Sequence, residues 1–184
     1  MADETTPILI GIDEQSWEKQ LDSTEQWFGR LLLVQSAFRE AAEKTADKIG
    51  EEHIKTAILK MAERAQQHEQ QILRLYELIG RKAPEASGLT GKAAGTLSSS
   101  LASMKSLFGE AGGYWQDLHQ LLLLNMNAMS AFGMAEQLGL ALGLTEVAET
   151  VFPIMSDKQM NHLLLQEYSL ELGAVAVLYG RDFG

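Results

Sequence analysis

Between Ile54 and Ile79 the chain repeats one pattern without a break. Ile54, Ile58, Met61, Ala65, His68, Ile72, Leu75 and Ile79 are spaced alternately four and three apart. Only an α-helix returns every third and fourth residue to one line, so this stretch is a helix burying a single face. Lys55, Lys60, Glu63, Arg64, Gln67, Gln70 and Arg74 fall off the line and mark the solvated side. Gly80 follows the last apolar position as a stop. The preceding segment has the same spacing in Phe28, Leu31, Gln35, Phe38, Ala42, Thr45 and Ile49. Ser23, with Gln26 three residues on, predicts its N-terminal capping box, and Gly50 its end. Two such helices joined by a short glycine-containing turn form an antiparallel hairpin.

The remainder is less regular. Residues 81–113 are rich in small residues, including Pro84, Gly88, Gly91, Gly95 and Ser98 to Ser100. Within them Leu97, Leu101, Met104, Leu107 and Phe108 keep a helical spacing, which predicts a crossover carrying a short helix. A helix over about 114–142 is apolar on nearly all sides, from Leu121 to Leu124 through Met126, Met129, Phe132, Met134 and Leu138. A helix of that kind is buried centrally or against another subunit. Residues 146–152 read as a short helix broken before Pro153, and Ser156 as the cap of a last helix reaching Tyr179. On that helix Met160, Leu164, Tyr168, Glu171, Val175 and Leu178 are the expected inward positions. Lys158, His162 and Gln166 read as a polar surface.

The expected domains are an N-terminal arm over residues 1–20, with an apolar patch from Pro7 to Ile12, and a bundle over 21–184. Two helices, a long crossover and two more helices specify an all-α four-helix bundle of two antiparallel hairpins.

Composition narrows the function classes. The net charge is −10, so nucleic acid is an unfavourable partner, and no polybasic cluster recruits the chain to lipid. With no cysteine, disulfides, thiolate metal sites and cysteine nucleophiles are excluded, which fits the cytoplasm. The acidic Met1-Ala2-Asp3-Glu4 start has no basic n-region of a secretory signal. Leu121–Met134 is too short and polar for a membrane span. No His-Glu-x-x-His or Gly-x-Ser-x-Gly occurs, and Gly88 to Lys92 lacks the spacing of a phosphate-binding loop. His53, His119 and His162 form no ligand pattern, and the methionines of the third helix read as core filler. Trp17, Trp27 and Trp115 stand near helix starts and are expected to pack on helix ends.

Three stretches carry a resemblance. Arg74-Leu75-Tyr76-Glu77-Leu78-Ile79-Gly80 is like a Leu-x-x-Phe-Glu-Leu-Leu-Gly helix ending. Ala135-Glu136-Gln137-Leu138-Gly139 with Glu146-Val147 is like an Ala-Glu-Gln-Leu-Gly…Glu-Val sequence, and Ser156-Asp157-Lys158 stands where Glu-Glu-Lys opens a last helix. In this order they resemble the ferritin-like four-helix bundles, specifically the small stress-induced bacterial proteins of the YciE/YciF type. The resemblance implies a ferritin-like bundle and, in the family, an iron or manganese pair held by carboxylates and histidines from all four helices.

Carried onto this chain, those ligand positions are degenerate. The first-helix glutamate falls on Gln35, and the Glu-x-x-His of the second helix falls on Ala65-x-x-His68. The third-helix ligands fall among Leu121, Leu122 and Leu124, with Asn125 the nearest polar residue. On the last helix Asp157 keeps a carboxylate, with Asn161 one turn on. Gln35, His68 and Asp157 are therefore vestigial metal candidates, and no catalytic or cofactor-binding residue is expected. A buried Gln35–His68 hydrogen bond is the expected use of the two stripe exceptions.

The leading expectation is a bundle without di-metal chemistry or cofactor, in a structural, assembly or protein-interaction role, with a stress-related one implied by the resemblance. A homo-oligomer, most simply a dimer, and an unidentified protein partner are expected. One alternative is a di-iron or di-manganese oxidoreductase or metal store using His68, Asp157 and re-registered Glu136, Glu167 or Glu171. Another is a carrier of a small apolar ligand.

Overall fold

A computed structural model describes residues 13–84 and 114–179. The described residues form four helices and no strand: α1 Glu14–Ala46, α2 Glu52–Leu78, α3 Tyr114–Ala141 and α4 Thr145–Tyr179. The chain is an all-α four-helix bundle. The Pro7–Ile12 patch, the Gly88–Lys92 stretch and the short crossover helix expected at Leu97–Phe108 lie outside the described residues.

The hairpin α1–α2 follows its stripes. Every member of both spacings, from Phe28 to Ile49 and from Ile54 to Ile79, is buried. Gly80 ends α2 at φ +69°, with Arg81 N–H donating to Tyr76 O across the turn at 2.8 Å. Gly143 does the same after α3 at φ +69°, where Leu144 N–H donates to Gly139 O at 2.8 Å.

Contacts at the helix ends fix the topology. Lys48 Nζ reaches Asp117 at 2.7 Å, and Trp27 Nε1 donates to Ala131 O at 3.0 Å. α1 and α3 are therefore antiparallel neighbours. His53 meets Glu171 and Arg64 meets Asp157, so α2 and α4 are antiparallel neighbours as well. The end of α2 and the start of α3 consequently lie at opposite ends of the bundle. The chain between Pro84 and Tyr114 has to travel a bundle length of ~40 Å. A simple up-and-down bundle would not require that.

Three boundary expectations are corrected. α1 begins at Glu14, not Ser23, so residues 14–20 are helix and not arm. Asp13 is its cap: its carboxylate accepts from Ser16 N–H at 2.9 Å and Ser16 Oγ at 2.7 Å. Ser23 lies inside the helix, its hydroxyl bonded back to Lys19 O. Next, α4 does not break at Pro153, which sits inside it. Val147, Val151, Ile154, Lys158, Asn161 and Leu165 are all buried at four–three spacing across the proline. One continuous buried face outweighs the single backbone hydrogen bond that Pro153 removes, and the proline ring itself faces solvent.

The inward register of α4 is the third correction. Met160 is 53% and Leu178 74% exposed, and Glu171 is exposed too. Lys158, assigned to the surface, has no exposure at all. Within one chain α3 is not buried centrally on all sides, since Met126, Met134 and Leu140 are exposed.

The core has two apolar clusters. One gathers Phe38, Ile54, Ile58, Leu121, Leu165 and neighbours toward the α1–α2 turn. The other gathers Phe28, Leu31, Ile72, Phe132, Val151 and Ile154 toward the α3–α4 turn. Gln35, His68, Asn125, Lys158 and Asn161 are buried and belong to neither. They form a polar layer across mid-bundle.

Candidate functional site: a lysine in the polar layer

Each helix delivers its part of the layer through its own stripe. On α1, Gln35 takes a place an apolar residue would hold, and its Nε2 donates to Ala65 O on α2 at 3.2 Å. Three residues past Ala65, His68 enters from α2 against the edge of Phe132, ring centroids 6.3 Å apart. The expected Gln35–His68 bond is replaced by these two separate contacts. His68 Nε2 lies 3.2 Å from Asp157 Oδ2. A carboxylate only accepts, so Nε2 carries the proton and Nδ1 is left as an acceptor. On α3, Asn125 Nδ2 donates to Lys158 O at 2.8 Å, tying the two helices of the second hairpin.

Lys158 is the centre of the layer. Its Nζ stands 3.7 Å from the centroid of the Phe38 ring, a cation–π contact. It has no hydrogen-bond partner among the described residues. Burial pushes its pKa down from 10.5 to about 7, against the opposing pull of Asp157 and Glu69. Burial, and after it the charge of Lys158, pushes His68 from 6.5 to about 4 despite the Asp157 contact. His68 is therefore neutral at physiological pH. Asp157 is turned to the rim of the layer, where Arg64 also holds it at 2.9 Å. Gln35 Oε1, His68 Nδ1, Asn125 Oδ1 and Asn161 Nδ2 are buried without a partner among the described residues, like Lys158 Nζ.

All three vestigial candidates thus reach one level of the bundle. Their chemistry does not fit a carboxylate-bridged metal pair. Gln35 and Asn125 offer neutral amides, His68 a single imidazole, and Asp157 is already engaged by Arg64 and His68. Among the described residues no group of three or more His, Asp or Glu converges as a metal site requires. Glu136, Glu167 and Glu171 do not supply the missing ligands: Glu167 and Glu171 are exposed, and Glu136 lies outside the layer. A protonated Lys158 adds repulsion: at ~4 Å and an effective dielectric of ~20, an ammonium repels one divalent ion by roughly 8 kcal/mol.

Lys158 was missed because α4 has two apolar faces, and the wrong one reads as the inner. The usable signal was the stripe Val147, Val151, Ile154, Leu165, Leu172, which passes through Lys158 and Asn161.

His53 and His119 lie apart from this level, whereas His162 adjoins Asn161 and buries its Nδ1 without a partner among the described residues. His53 is exposed beside Glu171, and His119 stacks on Trp115 with ring centroids 6.1 Å apart. Trp115 also covers Gly173 so closely that no Cβ fits there. Trp17 and Trp27 pack on the second apolar cluster, and Trp27, inside α1, donates to Ala131 O within α3 and is not at a helix end.

No protein-family model and no curated protein matches the chain. A crystal structure of a protein from Xanthomonas campestris pv. campestris has a similar fold, with a TM-score of 0.68 at 13% identity. The match covers 86% of this chain and 96% of that one, so the likeness is one of whole fold.

Proposed function

We propose that the chain is a ferritin-like bundle that works without a di-metal site, in an assembly or protein-interaction role. The observation that carries this reading is the fully buried Lys158 amine at the height of Gln35, His68 and Asp157. An amine supplied by the chain itself stands in the layer where the resembled family gathers carboxylates around metal. The topology, with α2 and α3 running in the same direction, supports the ferritin-like part. The acidic, cysteine-free composition supports a cytoplasmic protein. Among the described residues no helix is long and apolar enough to cross a membrane.

Elemental analysis of the purified chain, with an Fe(II) oxidation assay, tests the reading. It expects sub-stoichiometric iron and manganese and no oxidation above buffer. Two tightly bound ions per chain would sink it. As a sharper arm, Lys158→Glu with Gln35→Glu restores two carboxylates. Iron uptake by that variant and not by the parent would show which side chains exclude the metal.

A further inference from the structure

The outer face of the second hairpin is unlike the outer face of the first. Among the described residues nine large apolar side chains stand exposed, and only Leu59 of these lies outside α3 and α4. On α4, Phe152 (62% exposed), Leu163 (59%) and Leu170 (69%) are eleven and seven residues apart. At ~100° per residue these three fall within ~20° of one line along the helix. Ser156, Gln159, Gln166 and Ala174 fill the same face and are uncharged. Glu149 and Glu167 stand ~60° round the helix from that line and form a rim. α3 carries no charged residue between Leu118 and Ala135, and its exposed Met126 and Leu140 extend the patch. Gly133 of α3 lies against Met155 of α4, so the two helices sit close enough for one continuous face.

We infer that this face binds a second copy of the chain, α4 lying antiparallel to its copy about a twofold axis near Leu163. The inference rests on the assembly reading above and names its surface and partner.

Two arguments select a second copy. The first is charge. Each chain carries −10, so two copies repel wherever carboxylates face each other. The Phe152–Leu170 face lacks charge along its whole line and is the surface that can meet itself without desolvating ions. An isologous contact needs such self-complementarity, because every residue there faces its symmetry equivalents. The second is area. From Phe152 to Leu178 the helix runs ~39 Å, and two adjacent helices present a face ~20 Å wide. That footprint of ~780 Å² per chain matches the ~800 Å² per partner of a standard stable interface. A solitary apolar patch of this size is unusual on a monomer.

Light scattering on the full chain at tens of micromolar should give twice 20.3 kDa. Leu163→Glu with Leu170→Glu should reduce it to the single-chain mass with the helical circular dichroism retained. Gln67→Glu, the same added charge on the outer face of α2, should leave the dimer intact. Since the chain has no cysteine, Leu163→Cys supplies one thiol near the axis. Oxidation should link two chains through it at least tenfold faster than through Gln67→Cys, a measurement that does not depend on the glutamate variants folding.

A parent of single-chain mass overturns the inference, as does a dimer that survives both glutamates or cross-links equally at 67 and 163. Capture of a single-mass chain by vesicles of mixed zwitterionic and anionic lipid would assign the face to lipid, and also overturns it. Metal analysis of the same peak separates the two readings. A metal-loaded dimer refutes the proposed function alone, and a metal-free monomer refutes this interface alone.

Discussion

The two hairpins solve the same packing problem with opposite distributions of polarity. α1–α2 faces inward with a stripe that is apolar apart from Gln35, Thr45 and His68 and has a charged exterior, with Arg39 bridging Glu43 at 3.0 Å and Glu69 at 2.9 Å. α3–α4 turns Lys158, Asn125, Asn161 and Ser169 inward and Phe152, Leu163 and Leu170 outward. A helix with a single apolar stripe has one possible inner face. A helix with two has a register that only its partners can choose. Polar groups inside also act differently from polar groups outside. An exposed pair such as Arg39–Glu43 is weak and screened and the part-buried Arg39–Glu69 pair is screened less, whereas each buried polar atom of the mid-bundle layer is costly unless satisfied.

The largest expected effect couples the two hairpins. Phe38 of α1 is fully buried and supports the Lys158 amine of α4. Phe38→Ala should destabilise by about 3–5 kcal/mol in urea denaturation, through the cavity and the lost cation–π contact. An effect within ~0.5 kcal/mol, the range of surface substitutions, would mean that the second hairpin does not depend on this ring.

The pH response comes next. His68 titrates near 4 in the folded state and near 6.5 when unfolded. The unfolded chain therefore binds the proton first as pH falls. Stability from this group is complete above 6.5, declines as pH falls below it, and is lost below 4, by about 3 kcal/mol. Lys158 moves in the same sense at higher pH: its folded value near 7 lies below 10.5, so stability rises with pH between those limits. Stability against pH for the parent and for His68→Asn should diverge across 4 to 6.5. Parallel curves would remove His68 from the account.

A smaller change, opposite in sign, is expected of Lys158→Met. It keeps the chain length and the Phe38 contact while removing the buried charge. Replacing buried ions with apolar groups of similar size stabilises by about 1–4 kcal/mol in favourable cases. A gain of about 2 kcal/mol at pH 6, shrinking toward pH 10, is the expected result in thermal or urea unfolding. A loss at pH 6 would show that the amine makes an interaction stronger than its desolvation. The smallest effect belongs to the first hairpin's exterior: Arg39→Gln should cost about 1 kcal/mol or less and shrink in 1 M salt, the part-buried Glu69 contact keeping some of it. A salt-insensitive loss above that would erase the contrast between the exteriors.

How much was legible in the sequence follows the same division. Gln35 and His68 were located because each interrupts an otherwise regular stripe, and a polar residue at a core position is conspicuous. Asp157 was located by resemblance, but its neighbour Lys158 was assigned to solvent. A lysine is almost never fully buried without an ion-pair partner, so a local reading places it outside. Nothing near it in sequence reports the Phe38 ring, which is over a hundred residues away. The start of α1 was missed for a different reason. The acidic segment after Asp13 carries little apolar periodicity, and its helix is set by the Asp13–Ser16 cap.

By itself the sequence determined that the chain is helical, where its first two helices bury their faces, and that a long connection divides two hairpins. These follow from spacing and local backbone chemistry, which neighbours in sequence control. The tertiary structure decided which of two apolar faces α4 buries, that Pro153 lies within one continuous helix, and that a lysine occupies mid-bundle. Each of these depends on what three other helices present at the same height, and the burial free energy of a face is settled only when its partners are in place.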